Sequence, residues 1–245
     1  MKRYTLIIAD SSEDFCSALR GRLDPICNVF CCKTGKDVLQ LLQQHPADVL
    51  VLDLMLPQLD GLSLLQALSA AGDCPGILAS SCYVSPFILD TAEELNVSFL
   101  LEKPCSLCAA EECIRELIKR RDRSCARDRF MRISGLLLRL GFSAKLRGYA
   151  YLRDAALRYA ENPGLSIMKE LYPSVAGAYG VSPEDVEHSI RSAAMDAWGH
   201  RIRETWALYF PQGDPNSRPS NACLIQGLAS ELPRLQEEEA AEMIK

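Results

Sequence analysis

The stretch Val51-Leu52-Asp53-Leu54-Met55-Leu56-Pro57-Gln58-Leu59-Asp60-Gly61 carries the strongest structural signal in this 245-residue chain. An apolar run from Val49 to Leu52 ends on the carboxylate of Asp53. Pro57 and Asp60-Gly61 then predict a turn before a new helical pattern. This order places one Asp at the carboxyl end of a buried strand, the edge at which ligands bind in open α/β sheets.

Strand-like apolar runs alternate with helical patterns through the first half of the chain. Helical spacing is clear, for example, in Phe15, Leu19 and Leu23. Repeated strand–helix units predict an α/β fold with a doubly wound, five-stranded parallel sheet. The predicted strands are Leu6–Ala9, Asn28–Cys32, Val49–Leu52, Ile77–Ser80 and Phe99–Leu101.

Charge is distributed unevenly along the chain. Residues 1–118 hold 8 Lys and Arg against 16 Asp and Glu, whereas residues 119–129 hold 6 against 2. Residues 130–234 are slightly basic, and the chain ends in an acidic tail. The first half is acidic, the segment after it is basic and the second half is slightly basic. This distribution suits a domain with an acidic site followed by a domain that binds nucleic acid.

The apolar N-terminal stretch is too short for a signal peptide, and no run of residues approaches the length of a membrane span. We therefore expect a cytoplasmic protein with no membrane partner. Ten of the eleven cysteines lie at or before Cys125, and in that compartment the default is buried, reduced thiols. Cys105, Cys108 and Cys113 leave a metal or redox cluster open as an alternative.

Four polar side chains fall at predicted strand ends: Asp10, Asp53, Ser81 and Lys103. A carboxylate that accepts a phosphoryl group needs a divalent cation to neutralise charge. It also needs a hydroxyl and an ammonium group to hold the transferred oxygens. The chain supplies these groups at the sheet edge where they can converge, so the pattern predicts an aspartyl-phosphate switch.

Residues 3–119 resemble the receiver domain of two-component response regulators, which has a flavodoxin-like fold. The acceptor block around Asp53, the hydroxyl of Ser81 and the pair Lys103-Pro104 carry the resemblance. It implies that Asp53 accepts phosphate from a histidine phosphotransferase or sensor kinase. It also implies that the receiver dimerises when phosphorylated and is not itself a conventional enzyme.

The resemblance also implies roles for the residues around Asp53. Asp10, Asp53 and the Met55 carbonyl would hold a divalent cation, Mg²⁺ or Ca²⁺. Lys103 would contact the phosphoryl group and Ser81 would supply the switch hydroxyl. Phe99 would occupy the rotating aromatic position, and Lys103-Pro104 would be a cis peptide.

Ser11 departs from the family pattern, which has two adjacent acids after the first strand. A hydroxyl is a weaker Mg²⁺ ligand than a carboxylate, so cation binding is expected to be weakened. Glu13 or Asp14 could approach, although each is displaced along a helical turn. Alternatively, Ser11 caps the first helix and Asp14 completes a capping box.

The second half of the chain shows helical patterns and no strand pattern, which predicts an all-α domain. Around Gly180 the sequence indicates a helix, a glycine turn and a second helix. Ser182 is the expected cap, Pro183 the first helical residue and Asp185 the closing residue of a capping box. This is the layout of a helix-turn-helix, whose second helix enters the major groove, although a plain helical hairpin would look similar.

Residues 131–235 resemble the effector domain of the stage-zero sporulation protein A family. The match follows the receiver in the family's order, so the two domains together cover nearly the whole chain. The motifs that carry it are Arg147-Gly148-Tyr149-Ala150-Tyr151-Leu152-Arg153, Leu171-Tyr172-Pro173, Val186-Glu187 through Ile190-Arg191, Ala197-Trp198 and Arg218-Pro219-Ser220-Asn221.

The expected recognition helix departs from the family at three positions. Asp185 and His188 stand where the family has basic residues, and Ser192 stands where it has a histidine. Glu187 and Arg191 match, and they can pair with cytosine and guanine respectively. We therefore expect a shifted or weaker DNA site. The candidate DNA contacts are Glu187, His188, Arg191, Ser192, Lys145, Arg147 and Arg218.

These features predict a phosphorylation-controlled transcriptional regulator of a phosphorelay that controls sporulation or a related stationary-phase programme. Its expected partners are DNA, the phosphodonor, a second copy of the chain and RNA polymerase. The alternatives are a degenerate receiver that acts constitutively and a redox-responsive regulator that uses Cys82 or the later cysteine cluster. The predicted divisions are a receiver at 1–119, a linker at 120–130, an effector domain at 131–235 and an acidic tail at 236–245.

Overall fold

The computed structural model describes residues 3–71, 75–211 and 216–242. The chain divides into two compact units, Met1–Ser124 and Cys125–Lys245. Each unit has its own buried apolar core, as expected for domains of this size. Among the described helices, none combines the length and apolar character needed to span a membrane.

The first unit is a parallel sheet in which strands alternate with helices, as predicted. The strand order is β2-β1-β3-β4-β5, and every neighbouring pair is parallel. The sheet is therefore a doubly wound α/β fold of the flavodoxin type. Its elements are β1 (Tyr4–Ala9), α1 (Glu13–Leu23), β2 (Cys27–Cys32), α2 (Gly35–Gln44), β3 (Val49–Asp53), α3 (Gly61–Ala71), β4 (Gly76–Ser81), α4 (Pro86–Glu94), β5 (Phe99–Glu102) and α5 (Leu107–Arg139).

Both faces of this sheet are buried, which explains why its strands are apolar runs rather than alternating patterns. Leu6, Ile8 and Val51 lie in the core shared with α1 and α5. Ile7 and Leu50 lie in the core on the opposite face, with residues of α2 and α3. Because side chains alternate along each strand, these two cores fix the face toward which each strand-end residue points.

The start of α1 corrects one prediction. The N-cap is Ser12, whose hydroxyl accepts a hydrogen bond from the Phe15 amide at 3.3 Å, and not Ser11. The carboxylate of Asp10 accepts the Ser12 amide at 2.9 Å, which holds residues 10–12 in a turn and delays the helix by one residue. The alternative in which Ser11 caps α1 and Asp14 completes a capping box is therefore wrong.

Helix α5 runs from Leu107 to Arg139, so residues 120–130 lie within a helix. Ion pairs one turn apart, Glu111–Arg115 and Glu116–Arg120, support its charged surface. A helix of this kind needs no regular apolar stripe along its whole length. This explains why the sequence pattern predicted a polar linker, and not a helix, at residues 120–130.

The second unit is all-α within the part of the chain that the structure describes, as predicted. A buried cluster that includes Leu152, Val175, Ile190, Trp206 and Leu224 joins its helices. The predicted acidic tail at 236–245 continues α10 as far as Glu242, and residues 243–245 lie outside the described residues. The elements after α5 are α6 (Arg147–Glu161), a π-helical turn (Ile167–Leu171), α7 (Tyr172–Tyr179), α8 (Pro183–Gly199), α9 (Arg203–Tyr209) and α10 (Asn221–Glu242).

Candidate functional site

Three of the predicted site residues meet at the carboxyl edge of the sheet. Asp10 follows β1, Asp53 ends β3 and Lys103 follows β5. Residues two positions earlier in each strand, Ile8, Val51 and Leu101, all pack in the core shared with α1 and α5. The pleat of the strands therefore directs the three polar side chains to the same face.

Lys103 bridges the two carboxylates. Its Nζ lies 2.6 Å from Asp10 Oδ2 and 2.7 Å from Asp53 Oδ2. The Asp10 and Asp53 side chains are 1% and 6% exposed, and that of Lys103 is 19% exposed. A backbone amide holds each carboxylate in place, because Ser12 N donates to Asp10 and Met55 N donates to Asp53.

The electrostatics of this group favour an ammonium ion on Lys103. Burial lowers the pKa of Lys103, but hydrogen bonds and charge interactions with Asp10 and Asp53 outweigh it, so the pKa is raised overall. With both carboxylates ionised, two negative charges share one positive charge. The remaining negative charge, held in a nearly buried position, attracts a cation.

The donor atoms here fit a hard divalent cation, because carboxylate oxygens are the ligands that Mg²⁺ prefers. Asp10, Asp53 and the backbone carbonyl of Met55 are the residues that could hold it. The side chain of Ser11, which replaces a second acid, is exposed. Among the described residues, no cluster of three or more His, Cys, Asp or Glu side chains forms a metal site.

Two serines end β4 beside the acceptor. Ser81 is fully buried, and its hydroxyl donates to the Tyr83 carbonyl at 2.7 Å. Ser80 is the register neighbour of Asp53, and its buried hydroxyl has no hydrogen-bond partner within the described part of the chain. Sequence reasoning passed over Ser80, although two adjacent hydroxyls at a predicted strand end were a signal for it.

Phe99 is not brought to this group. It begins β5 and pairs in register with Leu78, whereas Ser81 pairs with Glu102 near the other end of the strand. Its ring packs in the core shared with α1 and α5, and the Arg120 guanidinium lies 4.9 Å from the ring centre. Phe99 therefore lies three residues before Glu102, the register partner of Ser81.

An open pocket gives access to the site from solvent. Asp10, Ser12, Phe15, Cys82, Lys103, Pro104 and Cys105 line it. The Lys103-Pro104 peptide bond is cis, as the resemblance implied. All ten cysteines within the described ranges are free thiols, including Cys82 and the three of the later cluster.

The helix-turn-helix prediction is matched by the local geometry of α7 and α8. Gly180 adopts a φ of +64° after α7, a conformation that glycine favours. Ser182 caps α8 and forms a reciprocal capping box with Asp185, and Pro183 is the first helical residue. Asp185 is therefore engaged in starting the helix.

One side of α8 is exposed along its length. His188, Arg191 and Ser192 are exposed on this side, while Val186 and Ile190 are buried on the other. The Arg191 guanidinium forms an ion pair with Glu187 one turn earlier. The structure thus places four of the candidate DNA contacts on one helix: Glu187, His188, Arg191 and Ser192.

Gly148 brings the start of α6 against α8. A Cβ atom placed on Gly148 would clash with the Ser189 carbonyl oxygen, so the two backbones approach closely. Lys145 and Arg147, both exposed, lie just before this crossing point. Two of the candidate DNA contacts are therefore near the middle of α8.

Arg218 joins the same surface through Asn221. The Asn221 amide donates to the Glu187 carbonyl at 3.1 Å and accepts from Arg218 at 3.4 Å. Burial lowers the pKa of Arg218, and the charge of Arg191 lowers it further. Asn221 was not among the predicted contacts, although it ends a motif that carried the resemblance.

Comparison with solved structures finds receiver domains that cover about half of the chain. A signal receiver domain from Vibrio parahaemolyticus is 18% identical, with a TM-score of 0.48 over 50% of this chain and 95% of its own. The receiver domain of Francisella response regulator 1452 is 24% identical, with a TM-score of 0.45 over 48% and 98%. That of an HD domain-containing protein from Pseudomonas fluorescens is 20% identical, with a TM-score of 0.46 over 50% and 99%.

Comparison with protein families matches both units. Residues 6–115 match the response regulator receiver domain. Residues 133–232 match the family described as Sporulation initiation factor Spo0A C terminal. With a receiver followed by this effector domain, the chain belongs to the response regulators of the Spo0A type.

Proposed function

We propose that the chain is a phosphorylation-controlled, DNA-binding transcriptional regulator in which Asp53 accepts the phosphoryl group. The observation that supports this most directly is the buried Asp10–Lys103–Asp53 group at the carboxyl edge of the sheet. Receiver domains generally bind Mg²⁺ for phosphorylation. In this chain Asp10, Asp53 and the Met55 carbonyl would hold the cation, which supplies positive charge to the transferring phosphoryl group.

The residues around Asp53 have distinct tasks in this proposal. A carboxylate oxygen of Asp53 attacks phosphorus, and the donor histidine leaves. Lys103 moves from the carboxylate toward the new phosphoryl oxygens, where its charge stabilises them. The Ser81 hydroxyl exchanges its bond to the Tyr83 carbonyl for one to the phosphoryl group, which releases the backbone at Tyr83.

The phosphodonor would be a histidine phosphotransferase or a sensor kinase. The open pocket beside Asp10 and Lys103 leaves room for a donor histidine to approach. Spo0A-type regulators are phosphorylated by such kinases or phosphotransferases. The residues proposed here give that reaction its acceptor, its cation ligands and its ammonium group.

Helix α8 is the proposed base-reading element. Arg191 can donate two hydrogen bonds to guanine, and Glu187 can accept one from cytosine. The two side chains form an ion pair in the absence of DNA. Glu184 and Asp185 at the start of the helix favour its dipole but repel phosphate, so we expect a weaker or shifted site.

Phosphorylation would act by dimerisation. A receiver dimer would bring two effector domains to tandem half-sites and position the protein to contact RNA polymerase. The proposed biological output is the control of sporulation or of a related stationary-phase programme.

The test is phosphorylation of the full chain with labelled acetyl phosphate, with and without Mg²⁺. We expect acid-stable, base-labile label in the wild type and none in Asp53→Asn. The matched control is Asp60→Asn, because Asp60 is an exposed acid that only caps α3 through Ser63. Label that persists in Asp53→Asn, or disappears in Asp60→Asn, contradicts the assignment of the acceptor.

A second function is favoured by Ser11 and by the Lys103 bridge. The Lys103 ammonium group already neutralises part of the negative charge of Asp10 and Asp53 that a metal cation would neutralise. A receiver that binds no metal is therefore compatible with this arrangement. Such a protein would bind partners or DNA constitutively. Tight DNA binding by the folded wild type, with no label under any donor, would select this function over the first.

A further inference from the structure

Asn221, the first residue of α10, connects that helix to α8 and to Arg218. Its Nδ2 donates to the Glu187 backbone carbonyl at 3.1 Å, and its Oδ1 accepts from the Arg218 guanidinium at 3.4 Å. The partners fix the orientation of the amide, because a carbonyl only accepts and a guanidinium only donates. The side chain of Asn221 therefore joins the segment before α10 to the backbone of α8.

The bond to α8 is not needed to complete that helix. A carbonyl inside an α-helix accepts the amide four positions later, which for Glu187 is the amide of Arg191. Asn221 makes a second bond to the same oxygen, which has a second lone pair to accept it. The contribution of this bond is to fix the position of α8 relative to the start of α10.

Burial makes both bonds of Asn221 important. The residue is only 8% exposed, and a buried amide costs free energy unless it is hydrogen-bonded. An aspartate of the same size has no N–H group to donate to the Glu187 carbonyl, and an alanine has neither a donor nor an acceptor. The position therefore favours an amide of this length.

Arg218 keeps most of its donors for another partner. In the part of the chain that the structure describes, Asn221 accepts from its Nη1 and no carboxylate forms an ion pair with it, since Glu187 pairs with Arg191. Arg218, Arg191 and Glu187 line one open pocket. Two guanidinium groups that share this opening with a single carboxylate leave it with a positive charge that attracts an anion.

We propose that Asn221 is a positioning residue of the DNA interface, which holds the Arg218 guanidinium beside α8 so that it meets a DNA phosphate. Phosphate contacts set the register of a protein on the duplex, and Asn221 ties this contact to the helix that reads the bases. Asn221 is buried and acts through Arg218. The proposal deepens the proposed function and rests on DNA binding by α8.

The experiment titrates the full chain against a labelled duplex, selected from a random pool by the wild type, at several salt concentrations. Asn221→Ala and Arg218→Ala should each lower the affinity by roughly tenfold, the size of effect that one hydrogen bond to a charged group gives. Each should also lower the slope of log affinity against log salt by about one. The double variant should have the same slope as Arg218→Ala, and a further fall overturns the proposal.

Ser220→Ala is the matched control, because the Ser220 hydroxyl caps the same end of α10 through the Cys223 amide. It should leave the salt slope unchanged. A merely structural role for Asn221 predicts a lower affinity with an unchanged slope, and that result in Asn221→Ala overturns the proposal. An unchanged slope in Arg218→Ala overturns it as well, and this arm does not depend on the folding of Asn221→Ala.

Nuclear magnetic resonance of the DNA-free wild type tests the bond to α8 separately. The side-chain amide of Asn221 should exchange with water more slowly than that of exposed Asn162, because the Glu187 carbonyl holds one of its protons. Equal exchange rates overturn the positioning role while DNA binding stands. If exchange is slow but the wild type binds no duplex, the proposed DNA-binding function fails, and the positioning role fails with it.

Discussion

At the scale of single residues, Lys103 is the side chain on which the acceptor site depends. It is the shared partner of two nearly buried carboxylates, and burying a charge without a partner is costly. We predict that Lys103→Ala lowers the free energy of unfolding by about 2–4 kcal/mol. Urea denaturation monitored by circular dichroism measures this.

Lys33→Ala is the matched control for that change. Lys33 forms an ion pair with Glu13 in which both side chains are exposed, so water replaces the lost contact. Its removal should leave the urea midpoint nearly unchanged. Equal destabilisation by the two substitutions would show that the Lys103 bridge is no stronger than a surface ion pair.

Tyr4 offers a second test at this scale, through its titration. A hydrogen bond to Asp122, assisted by burial, raises the pKa of Tyr4 to about 12. Because the raised pKa favours the protonated phenol in the folded state, its stabilisation is complete below the ordinary value of 10. That stabilisation is lost as the pH rises from 10 toward 12.

We therefore predict that Tyr4→Phe destabilises the protein by about 1 kcal/mol near pH 8, and that the difference shrinks above about pH 11. Absorbance titration of the phenolates should show that one group titrating near 12 is missing from the variant. A constant difference in stability across this range would contradict the assigned cause.

At the scale of elements, the crossing of α6 and α8 depends on Gly148. A Cβ atom there would meet the Ser189 carbonyl oxygen and the Ala193 side chain, neither of which can move without displacing α8. We predict that Gly148→Ala destabilises the effector unit by about 1–3 kcal/mol and weakens DNA binding. Thermal unfolding and a DNA-binding titration measure the two effects.

Gly177 provides the control for this prediction. It lies within α7, and a Cβ atom placed on it meets nothing within 4 Å. Gly177→Ala should therefore stabilise α7 by about 0.5–1 kcal/mol, because alanine loses less backbone entropy in a helix. Destabilisation by both alanines would point to glycine flexibility, rather than a close approach, as the reason for Gly148.

Much of this architecture followed from local patterns. The strands and their polar ends were predictable because apolar runs that end in Asp53 or Lys103 leave few ways to arrange a parallel sheet. The turn at Gly180 and the capping box of Ser182 were predictable because both are set by residues within four positions of each other.

Features that depend on contacts distant in sequence were not predictable. The cap of α1 moved to Ser12 because the Asp10 carboxylate holds the turn before it, and neighbouring serines look alike in the sequence. The place of Phe99 opposite Leu78 likewise depends on the register of β4 and β5.

At the scale of the whole molecule, the proposed binding of the effector unit to DNA predicts a salt effect. Each cation that contacts a phosphate adds about one unit to the slope of log affinity against log salt. We predict that Lys145→Ala and Arg147→Ala each lower that slope by about one. Arg139→Ala, which removes an exposed charge at the end of α5, should leave it unchanged.

Titrations of one labelled duplex at several salt concentrations measure these slopes. An equal fall in all three variants would mean that the effect comes from net charge and not from a defined contact surface. An unchanged slope in Lys145→Ala and Arg147→Ala would remove the start of α6 from the DNA interface.

We predict that phosphorylation of Asp53 controls DNA binding by the other unit through avidity. If phosphorylation joins two receivers, the second effector domain binds DNA as an intramolecular event, and affinity for tandem half-sites can rise by about 10²–10⁴ without any new contact. Affinity for a single half-site should then change little. Wild type and Asp53→Asn are titrated on duplexes with single and tandem half-sites, with and without acetyl phosphate. This separates the gain due to avidity from any change in the affinity of one effector domain. A gain confined to phosphorylated wild type on the tandem duplex supports control by avidity, whereas an equal gain on the single half-site would mean that phosphorylation alters α8 itself.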